Sequence, residues 1–203
     1  VKVLPAWRPD KAMNIEKPDY LDYLNTLSDV SGIKVNSFAS LIDALKNRMQ
    51  FFDSMGCSVS DHALEYVMYK PYTDAEIEAI FAKRFSGKAI TTEEMNKFKT
   101  AFMVSVGKEY NKLNWVMQLH YGTIRDNNVF RYNQLGPDTG FDCINTYDCS
   151  AEMAQFLNAL NSTDELPKTI IYSLNPSVNA AIGTVIGLSL IHISEPTRQE
   201  AIS

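Results

Sequence analysis

Cysteine is scarce: the chain has three, Cys57, Cys143 and Cys149, in 203 residues. An odd number without a CxxC pair excludes a disulfide framework and a zinc knuckle and fits a reducing cytoplasm. Long Lys/Arg runs are also missing, and the net charge is -5. Nucleic acids and anionic membranes are held largely by phosphate-directed basic patches, so neither is expected as a partner. An anionic small molecule stays open, because a few local arginines suffice for it. No apolar run is long enough to span a membrane, and no secretory leader is visible, although an initiating methionine is lacking too. Internal repeats and low-complexity linkers are absent.

What is present is the composition of a globular protein, 45% hydrophobic and 21% charged, with enough apolar surface for a sizeable core. Short apolar runs of strand length punctuate the chain at Val1–Trp7, Cys57–Ala63, Asn114–Gly122 and Lys168–Pro176. Helical patterns lie between them, the alternation expected of βα units around a parallel sheet. After Asn36, the residues Phe38, Leu41, Ile42, Leu45, Met49 and Phe52 recur at helical spacing, and Gly56 supplies a stop. Two further helices follow without an intervening strand, opened by TDAE at Thr73–Glu76 and TTEE at Thr91–Glu94. Both fit the capping box, in which Thr and Glu reciprocally satisfy orphan amides of the first turn. Ser150 is expected to N-cap a helix running through Leu160.

The last residues, LSLIHISEPTRQEAIS from Leu188 on, show neither helical nor strand periodicity. They resemble the translation of a transposase-type sequencing adaptor read in frame. Residues 188–203 are therefore expected to be a non-native tail, in which His192 carries no meaning as a ligand, and the chain is expected to be an internal fragment.

The four strand ends read WRPD (Trp7–Asp10), SDH (Ser60–His62), HYGTIR (His120–Arg125) and LNP (Leu174–Pro176). Burying such polar side chains is costly unless something answers them. Parallel βα architectures bind ligands at the carboxyl ends of their strands, so these residues are expected on one rim facing a ligand. Trp7 and Pro9 should stiffen the backbone around Arg8, which suits a bidentate carboxylate clamp. Asp61 could instead N-cap a following helix, His120 could be hydrogen-bonded core, and Asn175 could serve turn chemistry.

The stretches VKVLPAWRPDKAMNIE, GCSVSDHALEYVMY, WVMQLHYGTIRDNN, LGPDTGFDCIN and LPKTIIYSLNP closely resemble, in order and spacing, the central part of uronate isomerase in the amidohydrolase superfamily. The resemblance runs from Val1 to about Gly187. It implies an α/β fold, specifically part of a (β/α)8 TIM-type barrel, about strands four to seven, with a helical insertion at about residues 72–113. It also implies reversible aldose–ketose isomerisation of a hexuronate: D-glucuronate to D-fructuronate, or D-galacturonate to D-tagaturonate. Such a reaction moves a proton between adjacent carbons through an enediol and needs a base, a proton donor and positive charge near the oxyanion.

On this reading Arg8 and Arg125 take substrate oxygens or the carboxylate, His120 orients or protonates the reacting end, and Asp61 and His62 are further substrate-binding rim residues. The family's HxH ligands and its strand-eight aspartate have no counterpart here. The divalent metal, expected to be zinc, would therefore be ligated outside this chain, and the chain alone would be inactive. A cytoplasmic location fits, and homo-oligomerisation is left open. The alternatives are a metal-dependent hydrolase of the same superfamily and a noncatalytic sugar-acid binding protein.

Overall fold

The computed structural model describes residues 1–137 and 139–188. Of the expected non-native tail, all but Leu188 lies outside these residues, and Leu188 closes the last helix.

In chain order the elements are α1 (Asp10–Met13), α2 (Tyr20–Ser31), α3 (Phe38–Ser54), β1 (Val59–Ala63), α4 (Asp74–Phe85), α5 (Thr92–Lys112) and β2 (Val116–Tyr121). They continue with β3 (Thr123–Ile124), α6 (Val129–Leu135), β4 (Cys143–Ile144), α7 (Ser150–Asn161), β5 (Thr169–Ser173), a 3-10 turn at Pro176–Val178, and α8 (Asn179–Leu188). The strands β1, β2 and β5 form a parallel sheet in that order. A second, two-stranded antiparallel sheet joins β3 to β4.

The expected first strand, Val1–Trp7, is reduced to a single parallel bridge from Trp7 to Ser60. Trp7 donates its N–H to the Val59 carbonyl at 3.0 Å, and its carbonyl accepts from Asp61 at 2.8 Å. In a parallel ladder the next donors toward β1 fall two residues to either side. Those positions are Pro5 and Pro9, which have no N–H.

Both expected capping boxes are formed, at Thr73/Glu76 for α4 and Thr91/Glu94 for α5. The start of α3 has a tertiary cap as well, since Glu78 of α4 accepts from the Phe38 and Ala39 amides at 2.9 Å each. The α7 start differs from expectation. Ser150 is the first helical residue rather than the N-cap, and its amide donates to Asp148 Oδ1 at 2.9 Å. Asp148, two residues upstream, has thus taken the acceptor role assigned to Ser150. Helices α1, α2, α6 and α8, along with the β3–β4 pair, have no counterpart in the sequence expectation.

The helices cover one face of the sheet. Phe98, Phe102, Val106 and Tyr110 of α5 repeat every fourth residue and are wholly buried against Met117 and Leu119 of β2, Trp115 and Phe156. Fully burying each such side chain is worth about 1.5–3 kcal/mol before entropy is charged. Gly107 lets α5 and α7 approach closely, because a Cβ there would sit 3.0 Å from Leu160 Cδ1. The opposite face of the sheet is open: Asp61, Gln118, His120, Ile170 and Tyr172 point away from the helices, and Ile170 and Tyr172 are exposed. That open face positions the site.

Candidate active site

Side chains alternate across a strand, so every second residue of β1, β2 and β5 reaches the open face. The register puts Ala63 opposite His120 and His120 opposite Tyr172. A cleft of about 390 Å³ opens at the carboxyl ends of these strands, lined by Arg8, Asp61, His120, Arg125, Tyr172 and Ser173 among others. Four of the five expected site residues are therefore brought together.

His120 Nδ1 lies 2.5 Å from Asp61 Oδ1. A carboxylate oxygen only accepts, so Nδ1 donates, and Nε2 is the ring nitrogen that Asp61 does not engage. The ring stacks on Tyr172 with centroids 4.2 Å apart and planes 4° from parallel. Asp61 is therefore no helix cap: it lies within β1 and faces His120.

Arg8 sits between two carboxylates. Its Nε donates to Asp10 Oδ2 at 2.9 Å, and one Nη stands 3.4 Å from Asp61 Oδ2. Its side chain is still 53% exposed toward the cleft. Arg125 arrives from the β3–β4 hairpin, where it donates to Asp142 Oδ2 at 2.9 Å while Asp142 Oδ1 accepts the Asp126 amide at 3.1 Å. Gly122, at φ 89°, turns the chain out of β2 toward that hairpin. Tyr121, next to His120, falls on the buried side of β2, and burial raises its phenol pKa.

His62 requires a correction. Its neighbour Asp61 lines the cleft, and the period of two sends His62 to the helix-covered face, where it is completely buried. Its Nε2 is 3.1 Å from the Tyr110 hydroxyl, and its Nδ1 is 3.5 Å from Asp10 Oδ1. It cannot touch a ligand in the cleft. Asn175 is likewise absorbed by the fold, because its Oδ1 accepts from the Ser177 amide and hydroxyl at 3.0 and 2.7 Å.

Sequence reasoning missed Asp10 and Tyr172. Asp10 was part of the WRPD motif but received no role. Tyr172 could have been found by the period of two, once β5 was aligned on His120. Burial pushes the Asp10 carboxyl pKa up, but the His62 contact, the Arg8 hydrogen bond and the Ala63 amide outweigh it and hold it below the usual value.

Among the described residues, no group of three His, Cys, Asp or Glu side chains could hold a metal ion. The Asp61–His120 pair alone does not fit one. No described helix is long and apolar enough to cross a membrane.

Residues 1–193 match the family model described as glucuronate isomerase. The chain belongs to the glucuronate isomerase family. Among curated relatives, the uronate isomerase of Lachnospira eligens is 92% identical over 187 residues, and that of Lachnoclostridium phytofermentans is 76% identical over the same length. Each alignment covers 92% of this chain, which spans only 40% of the length of either relative. Among solved structures, the uronate isomerase of Thermotoga maritima superposes with a TM-score of 0.84 at 33% identity, covering 90% of this chain and 40% of its own. The glucuronate isomerase of Caulobacter crescentus gives 0.78 at 27% identity, covering 87% and 36%. The α/β fold with a parallel sheet is thus shared with glucuronate isomerase family structures.

Proposed function

We propose that this chain is the segment of a hexuronate isomerase that supplies one wall of its active site, interconverting D-glucuronate with D-fructuronate and D-galacturonate with D-tagaturonate. The observation that carries this reading is the convergence of Arg8, Asp61, His120 and Arg125 on one cleft at the strand carboxyl ends. The three parallel strands and the Trp7 bridge are read as consecutive staves, about four to seven, of a (β/α)8 barrel. Helices α4 and α5 form the insertion at about 72–113, and residues 188–203 are a non-native tail.

Arg8 and Arg125 present positive charge to a substrate carboxylate or to oxygens that become anionic in the enediol. His120, with its ring plane held by Tyr172 and its Nδ1–H by Asp61, keeps Nε2 as the atom that orients a substrate hydroxyl or exchanges its proton. In the aldose-to-ketose direction, one proton leaves carbon 2 and one is delivered to carbon 1, while the hydroxyl on carbon 2 gives up its proton and the oxygen on carbon 1 gains one. A divalent metal, read as zinc, would be held by residues outside this chain and would orient substrate oxygens. The hexuronate is the proposed partner, and the proposed location is the cytoplasm.

The test is an assay of the full-length protein containing this segment. Conversion of D-glucuronate or D-galacturonate to the matching ketose, followed by NMR, is the expected result. A protein inert on every hexuronate but active on simple lactones would replace the isomerase reading with a hydrolase.

A further inference from the structure

We propose that Asp10 is a positioning residue: it aims the Arg8 guanidinium into the cleft and links the buried His62 to the pocket side of the sheet. The inference deepens the hexuronate reading and rests on it for the role of Arg8.

The geometry behind it runs through both faces of β1. Asp10 is only 14% exposed, and its Oδ2 accepts from Arg8 Nε at 2.9 Å and from the Ala63 amide at 3.1 Å. Its Oδ1 faces His62 Nδ1 at 3.5 Å, and neither atom has a closer hydrogen-bond partner. On the far side of the ring, Tyr110 is wholly buried, and burial holds its phenol protonated. The Tyr110 hydroxyl meets His62 Nε2, and the acceptor-only Asp10 carboxylate faces the other ring nitrogen, Nδ1. The chain of contacts therefore runs from Tyr110 through His62, Asp10, Arg8 and Asp61 to His120.

A guanidinium is planar, so gripping its Nε from behind fixes where its Nη edge points. Here that edge meets Asp61 Oδ2 at 3.4 Å and opens on the cleft. Pro9 lies between Arg8 and Asp10 and fixes the local φ, which sets the two side chains as a pair. A bond to the Ala63 amide alone would make Asp10 merely a loop anchor. The additional grip on Arg8 predicts an effect on substrate binding as well.

The experiment compares the full-length protein with its Asp10→Asn and Asp10→Ala variants. The amide oxygen of Asn can still accept from Arg8 and Ala63, whereas Ala accepts nothing. Asp10→Ala should raise KM for D-glucuronate about tenfold or more, the loss expected for a charge-assisted hydrogen bond, with kcat little changed. Asp10→Asn should recover most of the wild-type KM. The Arg8 Nε–H resonance in ¹⁵N-arginine spectra, protected in wild type and in Asp10→Asn, should vanish in Asp10→Ala. An unchanged KM in Asp10→Ala, or kcat, KM and thermal midpoint deteriorating together in both variants, would overturn the positioning role. A wild-type protein inert on hexuronates would overturn the isomerase reading instead. The Arg8 resonance would still decide Asp10, because its persistence in Asp10→Ala refutes the grip.

Discussion

Asp61 and His120 stand 59 residues apart in the chain and meet on adjacent parallel strands, with Oδ1 2.5 Å from Nδ1. The pairing assigns a tautomer to the histidine and gives the open face of the sheet its one base backed by a carboxylate among the described residues. In Asp61→Asn the amide keeps the shape but loses the charge. We expect kcat/KM for D-glucuronate in the full-length protein to fall about ten- to a hundredfold, the weight of a hydrogen bond to a charged group. ¹⁵N spectra of His120 should show the Nδ1–H form losing population. An unchanged tautomer with unchanged kinetics would remove Asp61 from the site.

Arg8→Lys retains a positive charge but cannot meet Asp10 through Nε and Asp61 through Nη at once. Turnover of hexuronates in the full-length protein should drop about ten- to a hundredfold in kcat/KM, with the thermal midpoint kept. Equal kinetics for the two proteins would discard the clamp.

Acid should weaken the fold through Asp10. Its carboxyl pKa is held below the ordinary 3.8 in the folded state, so it is stabilising above that value, and this contribution is lost as the pH falls through the lower, folded-state value. Thermal midpoints measured between about pH 6 and pH 2 should fall less steeply for Asp10→Asn than for wild type. Parallel acid limbs would show that Asp10 contributes no linkage.

The carboxylate of Glu78 closes the first turn of α3 from another helix. Removing it in Glu78→Ala should cost about 1–2 kcal/mol, a typical loss for a cap, read as a lower midpoint in thermal or urea unfolding. A midpoint identical to wild type would mean that water replaces the carboxylate without penalty.

Strand β5 pairs on one side with β2, and among the described residues no strand covers its other side, while Ile170 and Tyr172 are exposed on its face. An unpaired edge with apolar neighbours invites pairing between chains. Light scattering of the isolated 203-residue chain should show self-association at micromolar concentration, relieved when the flanking sequence is restored. A monodisperse monomer would contradict this.

Local signals were enough for the helices with strong periodicity and caps. TDAE and TTEE each contain all the atoms a capping box needs within four residues, so no distant partner had to be known. The strands at Val59, Val116 and Thr169 were legible for a similar reason, as short apolar runs between helical patterns, and their polar ends pointed to a rim. The two prolines beside Trp7 were equally visible, and they decide why the first strand is only a bridge.

Which face each residue takes was settled by tertiary structure. Asp61 and His62 are adjacent and equally polar, and only the register of β1 against β2 sends one to the cleft and buries the other beside Tyr110. The roles of Asp10 and Tyr172 depend on partners 53 and 52 residues away, Ala63 and His120, across loops whose course no local pattern encodes. Sequence thus determined the elements and the chemistry available, because caps and periodicity are short-range. The tertiary fold chose which of those side chains face one another, because pairing register is set by packing over the whole sheet.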